Sequence, residues 1–278
     1  MGSQVTIFSY QLFHATIRSS TPIILALIGA IISKQANIFN IGIEGIMLFG
    51  AFTAITISVA TGSWIIALLA AILVGMVISL LMGLAHLKFR SSILVLGFSL
   101  NAMALGATRL LMQRIFGHVG SYTPRDVTSF PIITIKALDN HPVLSSLFSG
   151  YSLMEILAII LILLLWYVLY RTKIGLHLRS VGLNEVAAQT AGINAYRTKL
   201  AAIVVSGVFA GMAGAHLSLG YTTMFAEGMT SGRGFMANAA MNFGNGNPIT
   251  LCAGLCCLGS VNHSVQDCNL QACLPSSF

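Results

Sequence analysis

An acidic residue lies within the apolar stretch NIFNIGIEGIMLFG (37–50). Glu44 is flanked by Gly42 and Gly45 and preceded by Asn40. A carboxylate inside a membrane span costs roughly 3 kcal/mol or more, so such a residue is rarely exposed to lipid. Glycines on both sides indicate that a helix breaks or begins there, and non-helical backbone at depth is tolerated where it is buried in protein or lines a cavity. We therefore predict a discontinuous helix that faces the protein interior.

The carboxylate of Glu44 has two candidate roles. It could contact the hydroxyls or a base of a bound solute, or it could accept N–H bonds from a neighbouring half-helix. We favour the second role, because buried acids in membrane proteins usually pair with protein groups. A position close to a helix N-terminus would also stabilise the negative charge.

A second segment repeats this pattern. When the stretch AEGMTSGRGF (226–235) is aligned with IEGIMLFGAF (43–52), Glu227-Gly228 matches Glu44-Gly45 and Phe235 matches Phe52. Corresponding interrupted segments in two halves of a chain indicate a transport pathway. The residues predicted to line this pathway are Asn40, Gly42, Glu44, Gly45, Glu227, Gly228 and Phe235.

The composition shows which elements must position these residues. The 278 residues are 56% hydrophobic and 8% charged, whereas soluble domains have about 25% charged residues. This excess of apolar surface requires lipid as the solvent, and a span needs roughly 20 apolar residues. Five segments qualify: 35–60, 64–87, 91–108, 152–170 and 200–226. A shorter sixth candidate, Ser19–Ser33, is interrupted by Pro22. The predicted fold is all-α, a polytopic transmembrane helical bundle with discontinuous helices.

The distribution of basic residues predicts the orientation. The connection 171–199 contains five basic residues and one acid, Glu185, so the positive-inside rule makes it cytoplasmic. Alternation then places 113–151 outside and Lys88 and Arg90 inside. Because the basic residues are confined to short connections, the net charge of +7 indicates topology signals and excludes a nucleic-acid groove.

The cytoplasmic connection contains the signals of one short helix. Asn184 is a good N-cap, Glu185 favours the first turn and Gly192 is a good stop, with helix between them over 186–189. So short a helix is not stable alone in water. From the residues alone, a helix lying on lipid headgroups and a helix held by a protein partner are equally good interpretations.

Two further patterns concern packing and the outer loop. Small residues recur every four positions along one span (67, 71, 75, 79 and 83) and along another (207, 211 and 215), which predicts close helix–helix contact. The outer segment TSFPIITIKAL (128–138) predicts a strand or an extended lip. It is either a solvated loop or a docking surface for an external partner.

The C-terminal residues 249–278 differ from the rest of the chain. They contain all five cysteines and are too polar to continue the bundle. Zinc binding is disfavoured because CxxC and paired histidines are missing, and disulfides would need an oxidising compartment. We interpret 1–248 as a transmembrane domain that is incomplete at its C-terminal end, and 249–278 as an atypical tail produced by a frameshift near Pro248 or by truncation.

Three ordered blocks resemble a known family. They are TPIILALIGAIISKQANIFNIGIEGIMLFGAF (21–52), RTKIGLHLRSVGLNEVAAQTAGI (171–193) and SGVFAGMAGAHLSLGYTTMFAEGMTSGRGFMANAAMNFGNGNP (206–248). They are similar to permease subunits of bacterial ATP-binding cassette (ABC) importers, in the simple-sugar and nucleoside branch related to the ribose and branched-chain amino acid permeases. The family continues after this point with further apolar segments, where this chain has its cysteine-rich tail.

The resemblance implies a multi-pass pore subunit of the bacterial cytoplasmic membrane that moves a nucleoside or simple sugar and is not itself an enzyme. The sequence contains no GxxxxGK[ST] loop, so ATP would be hydrolysed by a separate ATPase subunit. The other implied partners are a second permease subunit, the same or different, and an extracytoplasmic substrate-binding lipoprotein; no cofactor or metal is implied. The residues expected to couple the permease to the ATPase are Asn184, Glu185, Ala187, Ala188 and Gly192.

Two other classes of protein compete with this interpretation. An ion-coupled secondary transporter would use Glu44 and Glu227 as proton or sodium sites and would need an ion gradient instead of ATP. A membrane enzyme would use His86, His177 and His216, but these lie on separate segments without metal-ligand spacing. We favour the ABC permease over both.

Overall fold

A computed structural model describes residues 2–117, 120–124, 127–133 and 150–243, without the side chains of 2–15 and 132–133. Its described α-helices, in chain order, are α1 (Gly2–Gln35), α2 (Ile43–Thr61), α3 (Trp64–Phe89), α4 (Ile93–Phe116), α5 (Leu153–Arg171), α6 (Lys173–Leu183), α7 (Glu185–Thr190), α8 (Ala195–Ala215) and α9 (Arg233–Phe243). A π-helical turn, His216–Tyr221, extends α8. Strand β1 (Ser121–Tyr122) pairs antiparallel with β4 (Phe225–Ala226), and β2 (Ile132–Ile133) pairs antiparallel with β3 (Tyr151–Ser152).

Six of the described helices are long and apolar enough to span a membrane, which confirms the all-α polytopic fold. The first span, Thr16–Gln35, corrects one expectation, because α1 continues through Pro22 without interruption. Proline removes one backbone donor, and neighbouring helices make this tolerable in a membrane. The α1 span is 83% buried, so its neighbours hold it in helical form. The second span also begins later than expected, at Ile43 instead of residue 35.

Helix α8 lies at the centre of the bundle and packs on α1, α2 and α3. The two predicted stripes of small residues face each other across α3 and α8. A Cβ atom on Gly211 would lie 2.5 Å from the carbonyl oxygen of Ala71, so a larger residue would push the helices apart. The predicted close packing is therefore confirmed, with both stripes in a single interface.

The helix ends fall into two groups, as the alternation of loops predicted. At one end, Gly83 of α3 packs against Leu200 of α8, and Gly182 of α6 lies against the backbone of Gln35. At the other end, the hydroxyl groups of Ser58 and Thr128 lie 3.1 Å apart. The basic connections therefore share one side of the bundle, which the positive-inside rule assigns to the cytoplasm.

Cysteine labelling tests this orientation. With the native cysteines removed, Ser129→Cys should react with a membrane-impermeant maleimide applied from outside, because Ser129 is exposed in the outer loop. Ser180→Cys should react only after the membrane is permeabilised. The opposite pattern would contradict the orientation.

Part of the predicted outer strand lies at Ile132–Ile133. Its continuation into 134–149 lies outside the described residues. The same is true of 244–278, and hence of all five cysteines and of the proposed change in composition after Pro248.

Candidate functional site

The break between α1 and α2 is organised by a buried asparagine. Asn40 is 0% exposed. Its side-chain oxygen accepts a hydrogen bond from the N–H of Gly42 at 3.0 Å, and its amide nitrogen donates to Ser206 Oγ at 3.2 Å. The loop itself turns at Asn37, which has a φ of 59°. Side-chain amides thus replace some of the backbone bonds that a continuous helix would have made.

Helix α4 approaches this break closely and supplies a second asparagine. Asn101 accepts a hydrogen bond from the N–H of Gly45 at 2.8 Å and donates one to the carbonyl of Ile41 at 3.2 Å. A Cβ atom on Gly45 would lie 2.8 Å from the side-chain oxygen of Asn101, and one on Gly42 would lie 2.9 Å from Leu100. Both glycines are therefore needed for this approach.

The break lies well inside the membrane. At about 1.5 Å per residue, Asn101 and Ser206 lie about 12 Å and about 16 Å from the cytoplasmic ends of α4 and α8. The hydrocarbon core is about 30 Å thick, so these contacts lie inside the membrane, on its cytoplasmic side. The prediction of a discontinuous helix that faces the interior is confirmed.

Glu44 joins the start of α2 to the start of the short helix α9. It lies in the first turn of α2, and its carboxylate accepts backbone hydrogen bonds from Gly232 at 2.9 Å and Gly234 at 2.6 Å. These donors belong to the N-terminus of α9, where the helix dipole favours a negative charge. The contacts are those of the favoured role, in which the carboxylate holds a neighbouring half-helix.

Helix α9 is also anchored along its length and at its C-terminal end. The side chain of Asn238 donates to the carbonyl of Asn40 at 3.0 Å. The ammonium group of Lys34 donates to the carbonyl of Met241 at 3.2 Å, near the C-terminus where a positive charge is favourable. A Cβ atom on Gly234 would lie 2.8 Å from the Cα of Glu44, so no larger residue fits there without a shift.

The structure brings together only some of the residues predicted to line a pathway. Asn40, Gly42, Glu44 and Gly45 form one cluster with the start of α9. Glu227 belongs to a separate set of contacts, in which its carboxylate accepts from the N–H of Gly120 at 3.0 Å and lies 3.6 Å from Arg109 Nε.

The repeated Glu-Gly pattern does not have a repeated local structure. Gly45 is helical, whereas Gly228 is in a turn with a φ of 65°. Phe52 is 4% exposed and Phe235 is 42% exposed. The two segments share residue types and a position beside a half-helix, and little else.

Sequence reasoning missed five members of the cluster: Asn101, Ser206, Gly232, Gly234 and Asn238. Two signals were available. Asn101 and Asn238 are amide side chains within apolar helical segments, where polar groups seek protein partners. The glycines in SGRGF stand at the N-terminus of a half-helix, where an anion can reach the backbone N–H groups.

The predicted signals of the cytoplasmic helix are present in α7. The side chain of Asn184 accepts from the N–H of Ala187 at 3.1 Å, and Gly192 ends the helix with a φ of 83°. Glu185 binds Lys199 at the start of α8, with 2.5 Å between the charged atoms. The expected caps are therefore confirmed, and an ion pair ties the helix to the bundle.

The two faces of α7 differ in what they contact. Ala188 is 3% exposed and packs on Val181 and Ala195, so it serves the attachment of α7 and not an outward contact. Val186 on the opposite side of α7 is 71% exposed, and Leu183 at the end of α6 is 88% exposed. Two large apolar side chains on the basic side of the bundle are therefore left for lipid headgroups or a protein partner to cover.

The three histidines considered for an enzyme lie in three different environments. His86 Nδ1 lies 2.8 Å from the carbonyl oxygen of Ser91, His177 is exposed, and His216 is completely buried. No group of metal-binding side chains occurs within the residues that the structure describes.

Comparison with known proteins gives one family. Residues 11–268 match the family model described as the permease component of the branched-chain amino acid transport system. No solved structure matches the chain significantly.

Several curated proteins are similar over most of the chain. The guanosine ABC transporter permease protein NupQ of Bacillus subtilis is 35% identical, over 84% of this chain and 75% of that protein. The nucleoside ABC transporter permease protein NupC of Lactococcus lactis is 37% identical, over 83% of this chain and 74% of that protein. The putative glucose ABC transporter permease protein TsgC13 of Haloferax volcanii is 29% identical, over 89% of this chain and 74% of that protein.

Proposed function

The chain belongs to the family of permease components of the branched-chain amino acid transport system, and from this membership we propose that it forms part of the membrane pathway of a nucleoside importer. It is a multi-pass protein of the bacterial cytoplasmic membrane and a pore subunit of an ABC importer. The similarity to two nucleoside permeases, at 35% and 37% identity over more than four fifths of the chain, carries the choice of substrate.

The alternative substrate is a simple sugar. The relative named for glucose is less similar, at 29% identity. A nucleoside contains both a sugar and an apolar base, so a site for it must provide polar groups for hydroxyls and apolar surface for the ring. We place the nucleoside first and the sugar second.

We infer that the chain itself has no ATPase activity and that a separate ATPase subunit docks on α7. Exposed Val186 and Leu183 support this arrangement, because a cytoplasmic ATPase would bury their apolar side chains. The ion pair of Glu185 with Lys199 would transmit movement of α7 to α8. This favours the protein partner over a helix that rests on lipid headgroups.

Two more partners belong to the proposed assembly. A second permease subunit, identical or different, would complete the pathway, and an extracytoplasmic binding protein would deliver the substrate to the outer side. The paired strands β1 and β4 place an ordered surface on that side, next to Glu227.

An ion-coupled transporter is less well supported by the geometry. Both carboxylate oxygens of Glu44 accept backbone N–H bonds, and Glu227 is held by Gly120 and Arg109. The two acids therefore belong to separate contact sets and do not converge on one site. A sodium site would need several oxygen ligands that converge on the ion.

Reconstitution tests the proposal. Proteoliposomes containing this chain, its ATPase and partner permease should take up radiolabelled guanosine when the binding protein and internal ATP are supplied. Ionophores that collapse proton and sodium gradients should leave uptake unchanged, and excess unlabelled nucleoside should compete while glucose should not. Uptake that needs an ion gradient, or competition by glucose alone, would contradict the proposal.

A further inference from the structure

A cavity opens at the cytoplasmic end of the bundle, between α5 and α8. It has a volume of about 420 Å³, within the range of about 300–1,000 Å³ typical of small-ligand pockets. Helices α5 and α8 both pack on α1, and the gap between them has Ile32 of α1 as its floor. Helix α6 closes the gap on the cytoplasmic side with Ile174 and Leu178.

The cavity is apolar inside and basic at its mouth. Its inner wall includes Leu165, Val168 and Val205, whereas Arg197, His177 and Thr198 lie at the cytoplasmic edge. Arg197 and His177 are exposed. Within the described parts of the chain, the guanidinium of Arg197 has no hydrogen-bond or ion-pair partner, and the one acid of the cytoplasmic connection, Glu185, is paired with Lys199.

The mouth lies at the depth of lipid headgroups. Trp166, Tyr167 and Tyr170 are on the neighbouring exposed face of α5, close to its cytoplasmic end. Tryptophan and tyrosine are enriched at the membrane–water interface. Val205 is 39% exposed beside the gap, so the cavity is accessible from the side, where acyl chains surround the protein.

We propose that this cavity binds one anionic phospholipid of the cytoplasmic leaflet. An acyl chain occupies the apolar gap between α5 and α8, and the phosphate group lies against Arg197, with His177 and Thr198 as further hydrogen-bonding groups. Basic pockets between membrane helices on the cytoplasmic side suit anionic headgroups. The bound lipid packs between α5 and α8 and against α1, next to the cytoplasmic connection.

Lipid retention tests this proposal without using transport, so its outcome is independent of the proposed function. The complex is purified in mild detergent and delipidated. It is then titrated with phosphatidylglycerol or phosphatidylcholine and examined by native mass spectrometry. The protein should retain phosphatidylglycerol preferentially. Arg197→Gln should weaken its retention about fivefold, the effect expected for one basic residue near an anionic headgroup.

Two variants serve as controls. Lys88→Gln removes an exposed cation from the cytoplasmic end of α3, outside the cavity, and should leave retention unchanged. Ala201→Phe fills the apolar gap from an exposed position and should displace the lipid while the melting temperature in lipid-free detergent stays the same.

Four results would overturn the proposal. They are equal retention of the two lipids, equal losses for Arg197→Gln and Lys88→Gln, full lipid retention by Ala201→Phe, and a lower melting temperature of Ala201→Phe without lipid. The last result would mean that the gap has no room for an added ring and hence none for an acyl chain.

Discussion

Glu44→Leu is expected to leave little folded permease and no nucleoside uptake. The substitution removes the acceptor for the N–H groups of Gly232 and Gly234. A buried donor left without a partner costs about 1–3 kcal/mol; this applies to Gly234, whereas the half-buried Gly232 costs less. The favourable interaction of a negative charge with the N-terminus of α9 is lost as well. The measurements are the yield of monodisperse protein after detergent extraction, its melting temperature, and uptake by proteoliposomes.

Glu44→Gln provides the graded comparison. The amide oxygen can still accept one bond but has no charge, so we expect lower stability and unchanged preference among nucleosides. Glu227→Gln is the matched control on the other carboxylate, which is partly exposed, and it should affect the yield much less. A folded Glu44→Leu complex with full uptake would contradict the structural role. A folded Glu44→Gln complex with weaker substrate affinity would instead indicate direct contact with substrate.

Val186→Asp is expected to abolish substrate-stimulated ATP hydrolysis while the permease stays folded. Val186 is 71% exposed, so an aspartate there is solvated in the isolated subunit. In the complex it would be desolvated against the ATPase, which costs several kcal/mol. Since 1.4 kcal/mol is tenfold in affinity, we expect at least a tenfold loss of copurified ATPase. Substrate capture by the external binding protein should persist.

Three further variants are compared with Val186→Asp. Val186→Thr keeps the side-chain shape and should retain most of the coupling. Ala188→Asp puts a charge between Val181 and Ala195, so it should detach α7 and lower permease stability itself. Gly192→Pro should also uncouple transport, because proline cannot adopt the φ of 83° found there. Normal stimulated ATPase activity of Val186→Asp would rule out docking on this face.

The sequence was informative about local features and silent about distant partners. A carboxylate between glycines in an apolar stretch predicted a helix that begins inside the membrane, since the cost of burial restricts where such a residue can lie. The identity of the N–H groups that Glu44 binds was not predictable, because Gly234 lies 190 residues away. Only the packing of α1, α2 and α9 brings these residues together.

The short helix α7 shows the same difference between local features, which the sequence predicts, and contacts with distant residues, which it does not. Its caps follow from Asn184 and Gly192, whose side-chain oxygen and conformational freedom act locally. Its inward face did not follow, because Ala187 and Ala188 are the same residue type and only the contact with Val181 distinguishes them. At Pro22 the local signal led to a wrong prediction. Proline predicts an interruption, but α1 stays helical because its neighbours bury it.

The long separation between Glu44 and its donors has a consequence for biosynthesis. At a translation rate of about 5–20 residues per second, Gly234 leaves the ribosome roughly 10–40 s after Glu44. Throughout that interval the insertion machinery or lipid must accommodate an acid whose final partners do not yet exist. The start of α2 therefore cannot be completed during its own insertion. Maturation of the nascent permease waits for α9, and a chain arrested before Gly234 would expose an unfinished membrane segment to quality-control proteases.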